Sequence, residues 1–135
     1  MSYEFLPHEA DVRVRCTGET FAELLKALAD GMYAVALEEM KEKTPQTREI
    51  EVTADSPEEL LVRWLQELNY LLDVHKFVAV EIEADCPNER SVKAQLRGYL
   101  CRAEDRATEI KAATYHGMTV EKTKAGYAAE VVFDL

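Results

Sequence analysis

The chain has 135 residues, 47% of them hydrophobic and 31% charged, enough for one domain, 1–135, with a real core. Its net charge of −10 repels phosphate backbones, which argues against strong direct nucleic-acid binding and for a cation or a basic protein partner. There is no apolar run near the roughly 18 residues that span a membrane, no basic or apolar leader in Met1-Ser2-Tyr3-Glu4 and no CxxC pair among Cys16, Cys86 and Cys101, so the expectation is a cytoplasmic protein with reduced thiols.

The acid excess is uneven. Residues 1–60 hold 14 acids and 6 bases, whereas residues 61–135 hold 12 and 10. Near the start, Val12, Val14 and Cys16 alternate with Asp11, Arg13 and Arg15, which predicts a half-buried strand, and Thr17-Gly18-Glu19 turns the chain. Thr20 and Glu23 make a capping box, in which hydroxyl and carboxylate satisfy free backbone N–H groups. Phe21, Leu24, Leu25, Leu28, Met32 and Val35 then recur at helical spacing to about Met40. Residues 41–46 read as a polar loop containing Pro45, and residues 48–54 as a strand with Ile50 and Val52 inward. Ser56, Pro57 and Glu59 start a second helix whose stripe is Leu60, Leu61, Trp64, Leu65, Leu68, Leu71 and Leu72, fading near His75. That stripe can be buried internally or across a dimer, and Trp64, in register with leucines, reads as core.

The remainder reads as strand. Val78, Val80, Ile82 and Ala84 alternate, residues 85–89 turn, and Val92, Ala94, Leu96, Gly98 and Leu100 alternate again. Residues 102–108 form a charged loop. Ile110 to Lys122 reads as a strand around Met118 and Val120, Lys124-Ala125-Gly126 as a hairpin turn, and Tyr127 to Phe133 as the last strand. The predicted class is α+β: a mostly antiparallel sheet with two main helices packed on one face.

Two places could carry chemistry. Asp11 opens the first predicted strand and Asp134 closes the last. If those strands are antiparallel neighbours, both carboxylates meet at one sheet edge, beside the carboxylate of Leu135. Such hard oxygens suit Ca²⁺, Mg²⁺ or Mn²⁺ rather than zinc. The plainer alternative is two solvated strand-end acids. The second place is Ile110-Lys111-Ala112-Ala113-Thr114-Tyr115-His116, where Lys111 could hold a phosphate or carboxylate and His116 could titrate near neutrality, unless both are simply solvated. Gly-rich phosphate loops, a GxSxG elbow and an HExxH helix are all absent from the sequence.

At these two places the chain resembles the archease family. The matching pieces are His8-Glu9-Ala10-Asp11-Val12-Arg13-Val14, Ala29-Asp30-Gly31-Met32-Tyr33, Leu60 to Leu68, Ile110 to His116, and the ending Val131-Val132-Phe133-Asp134-Leu135. The resemblance implies a strand-helix-strand-strand-like module with an insertion. It also implies a non-enzymatic activator of an RtcB-type RNA ligase in tRNA splicing and RNA repair, promoting ligase guanylylation and multiple turnover. It carries a divalent-metal site, calcium foremost, onto Asp11, Asp134 and Leu135, and a ligase-contacting lysine onto Lys111; His8, Glu9, Tyr115 and His116 are the further expected partner contacts. Family members often have a histidine in the loop before the Ile110 segment. Here Cys101 to Glu109 contains none. A general chaperone or adaptor of nucleic-acid-processing enzymes is the main alternative, and a small metal-dependent hydrolase a lesser one.

Overall fold

The computed structural model describes residues 2–6, 11–38 and 43–135, with the side chains of residues 6 and 114–117 excepted. The elements run β1 (Ser2–Leu6), β2 (Val12–Gly18), α1 (Phe21–Ala36), β3 (Thr44–Thr53), α2 (Pro57–His75), β4 (Phe77–Asn88), β5 (Ser91–Leu100), a 3-10 turn (Ala103–Asp105), β6 (Ala112–Thr123) and β7 (Gly126–Asp134). The α+β expectation holds, but the strands form two sheets rather than one. A four-stranded sheet has the order β1-β2-β7-β6 and a three-stranded sheet the order β3-β5-β4. The pairings are antiparallel throughout.

Local chemistry explains the helix starts. The Thr20 hydroxyl accepts the Glu23 N–H at 3.1 Å and the Glu23 carboxylate accepts the Thr20 N–H at 3.2 Å, closing the expected box on α1. At α2 the Ser56 hydroxyl accepts the Glu59 N–H at 3.1 Å, but the Glu59 carboxylate takes the Asp55 N–H, one residue before the cap. The helix α1 stops at Ala36, short of the expected Met40. Its last carbonyls are taken up by another segment: the Ala36 carbonyl accepts the Ala107 N–H at 2.8 Å, and Leu37 bridges Arg106. Residues 39–42 lie outside the described residues.

Packing then fixes the layers. The helix α1 lies across β2, β1 and β7, α2 lies against β6, and both reach β4. Leu24, Leu25, Leu28 and Met32 of α1 join Trp64, Leu65 and Leu68 of α2, Val14, Val131 and Phe133 of the larger sheet, and Val92, Ala94 and Leu96 of the smaller sheet in one core. The α2 stripe is therefore buried within the chain. Trp64 is core, as expected; its Nε1–H donates to the Leu25 carbonyl at 3.0 Å.

One strand was not expected, and three sequence expectations are corrected. The segment Ser2–Leu6 is a strand, pairing with β2. Strand β3 begins at Thr44, so Pro45 sits inside a strand; β3 is a sheet edge, where a missing N–H is tolerated. A register shift between Ala79 and Glu81 breaks the even alternation of β4, burying Phe77, Val78 and Ala79 and leaving Val80 41% exposed. Strand β4 then continues to Asn88, through the expected 85–89 turn, and the reversal falls at residues 89–90.

Candidate metal centre at the paired strand ends

The larger sheet positions this site. Strands β2 and β7 pair from Val12 with Phe133 to Gly18 with Tyr127, so Asp11 and Asp134 each adjoin the last pair of the ladder in sequence. Val14 and Cys16 with their partners Val131 and Ala129 are buried on the helix side. On the other face Glu130 lies between two arginines, with Arg13 Nη1 at 3.5 Å and Arg15 Nη1 at 3.4 Å. These partly exposed pairs add little stability, but they show that the two cations nearest along β2 are already shared with Glu130. The sequence reading missed Glu130; its signal was an acid on β7 at the register position of Arg15.

Strand β7 is central, so Asp134 also has a neighbour on its other side. The Lys111 N–H donates to the Asp134 carbonyl at 2.8 Å, and Ala112 pairs with Asp134. Lys111 and Asp134 are exposed, Asp11 and Leu135 half-buried. Asn69 of α2, absent from the sequence-predicted site, donates from Nδ2 to the Ile110 carbonyl at 2.8 Å. Tyr115 and His116 belong to β6 within a register shift between Thr114 and Thr119; their side chains, like His8 and Glu9 altogether, lie outside the described residues.

Among the described residues, no three His, Cys, Asp or Glu side chains gather as a metal set. The donors implied for a cation are therefore the Asp11 and Asp134 carboxylates with Leu135. Carboxylate oxygens of this kind are the donor chemistry that a hard divalent ion takes. All three cysteine thiols are pushed towards the protonated form. Burial, with Asp30 adding, pushes the Cys16 thiol up to about 12. Burial, with Asp85 adding, pushes Cys86 up to about 11, and burial also raises Cys101.

The family described as "Archease protein family (MTH1598/TM1083)" matches residues 3–135. The chain belongs to the archease family. Protein archease of Methanosarcina mazei is 38% identical over 140 residues, covering 98% of this chain and 95% of that protein. Protein archease of Archaeoglobus fulgidus is 35% identical over 137 residues, covering both chains completely. Two solved structures share the fold. One is a crystal structure from Thermotoga maritima described as "an archease, possible chaperone", with a TM-score of 0.69 and 19% identity over 96% of this chain and 94% of that one. The other is the solution structure of Methanobacterium thermoautotrophicum protein 1598, with a TM-score of 0.70 and 21% identity over 98% of each chain. The archease fold thus accounts for both sheets and both helices.

Proposed function

We propose that this archease-family protein is a non-enzymatic activator of an RtcB-type RNA ligase in tRNA splicing and RNA repair, acting through an acidic, metal-bearing tip. The observation that carries the reading is the β2–β7 pairing, which ends at Val12 and Phe133, next to Asp11 and Asp134, on the side where the Lys111 N–H bonds the Asp134 carbonyl just before β6. Asp11, Asp134 and Leu135 hold a divalent cation, calcium foremost, with magnesium or manganese as alternatives. Bound there, the ion would supply positive charge to phosphate oxygens during nucleotidyl transfer. Lys111, exposed beside this pair, offers an ammonium to an acidic group of the ligase or to a nucleotide phosphate. His8, Glu9, Tyr115 and His116 extend the contact surface.

The test is a time course of ligase guanylylation and multiple-turnover ligation with and without the protein. Asp11→Ala and Asp134→Ala abolish stimulation while circular dichroism stays native. Full stimulation by both variants refutes the proposal. A chaperone-like reading has its own support in the Thermotoga relative's description and in Tyr3 and Phe5, 40% and 53% exposed and edge-to-face at 5.7 Å. In that case Phe5→Ser, rather than the aspartate variants, removes stimulation.

A further inference from the structure

Asn69 is a polar interruption on a leucine-rich helix. Its neighbours Leu65, Leu68 and Leu72 are fully buried, and a leucine at 69 would extend the apolar surface. Instead the Nδ2 group donates to the Ile110 carbonyl at 2.8 Å, and among the described residues the Oδ1 meets no hydrogen-bond partner. An amide on this face makes one directed bond that a leucine could not make.

The bond it makes has a specific target. The Ile110 carbonyl and the Lys111 N–H belong to one planar peptide unit. Asn69 grips that unit by its oxygen, and the Asp134 carbonyl grips it by its nitrogen, at 2.8 Å on each side. The plane cannot turn without breaking one bond or the other. Ile110 itself is buried, and regular pairing of β6 starts only at Ala112. The Asn69 contact therefore fixes the peptide just before the strand, at the point where it meets Asp134.

We propose that Asn69 is a positioning residue for Asp134: through the 110–111 peptide it sets the main chain of Asp134, and with it the direction of the carboxylate assigned to the proposed cation site. This rests on the metal-site reading given above. Groups that orient metal ligands from behind alter metal affinity by about 10–100-fold when removed.

The test compares the wild-type protein with Asn69→Leu, and with Asn69→Ala should the leucine variant fail to fold. Calcium chloride binding is followed by isothermal titration calorimetry, Lys111 amide exchange by NMR, and the Asp134 carboxylate by its carbon-13 resonance. The expected result is a native circular dichroism spectrum, Lys111 exchange at least about tenfold faster, a displaced Asp134 resonance, and calcium affinity lower by about 10–100-fold. Unchanged Lys111 exchange, or faster exchange with unchanged calcium affinity, overturns the proposal. If the wild-type protein itself binds no calcium, the metal-site reading fails separately. The Asp134 resonance then decides the positioning role: displaced in the variant it supports Asn69, unmoved it overturns it.

Discussion

Replacing Asp134 by Asn separates the electrostatics of the tip from its fold. The substitution keeps the shape, and the Asp134 main chain keeps its bonds to β6, so the change is one of charge. Directly opposed strand positions lie about 5 Å apart. If the proposed site sets Asp11 and Asp134 at that spacing, the two carboxylates, one half-buried and one exposed, repel by about 0.8 kcal/mol in water-like dielectric and by roughly 0.5 kcal/mol after physiological screening. In EDTA at neutral pH, Asp134→Asn should therefore be more stable than wild type by roughly 0.5 kcal/mol. Calcium at a hundred times its dissociation constant should stabilise the wild type by about 2.7 kcal/mol and the variant by much less. The order of the two proteins thus inverts between EDTA and calcium. Urea unfolding followed by tryptophan fluorescence measures this, because the single Trp64 lies in the core. A variant less stable than wild type in EDTA, or a wild-type midpoint indifferent to calcium, would refute the reasoning.

Gly98→Ala tests the β4 bulge. An added Cβ would lie 1.8 Å from the Val78 carbonyl oxygen and 2.8 Å from its carbon, so the backbone must move, at a cost of about 3 kcal/mol in urea unfolding; a loss under about 1 kcal/mol would mean that β4 yields easily. Cys16 predicts alkaline sensitivity. Its thiol titrates near 12 in the folded protein against an ordinary value of 9.0, so the folded state retains a proton that the unfolded chain releases. The corresponding stability is complete below pH 9 and is lost as pH rises towards 12, by about 1.4 kcal/mol per unit. Cys16→Ala should lose about 1.4 kcal/mol less than wild type between pH 8 and pH 10, and an identical loss in both proteins would rule this out.

What could be read from the sequence was set by short-range chemistry. The Thr20–Glu23 box, the Ser56 cap and the Val12–Val14–Cys16 alternation each depend on residues within a turn or a strand of one another, and each appears where the spacing puts it. The division into two sheets depends on which strands pair, and neither Ile50 nor Leu96 carries a local sign that β3 and β5 exclude β2. The β4 bulge was hidden for a related reason. Val78 and Val80 look equivalent along the chain, and only the close approach of Gly98, with the Tyr33 hydroxyl accepting the Ala79 N–H at 3.1 Å, makes them differ. At the tip, the pairing of β2 with β7 followed from two apolar alternations that each end beside an acid. Asn69 gave no such sign, because helical periodicity assigns a face but not a hydrogen-bond partner.

The course of β2 bears on how the protein is best handled. Ser2 pairs with Thr17, at the far end of β2 from Asp11; six residues of strand separate the two, or about 20 Å. A purification handle fused ahead of Ser2 leaves from that remote end. One fused behind Leu135 leaves directly after Asp134, at the end where the proposed cation site lies, so the N-terminal position is the one that keeps a handle away from it.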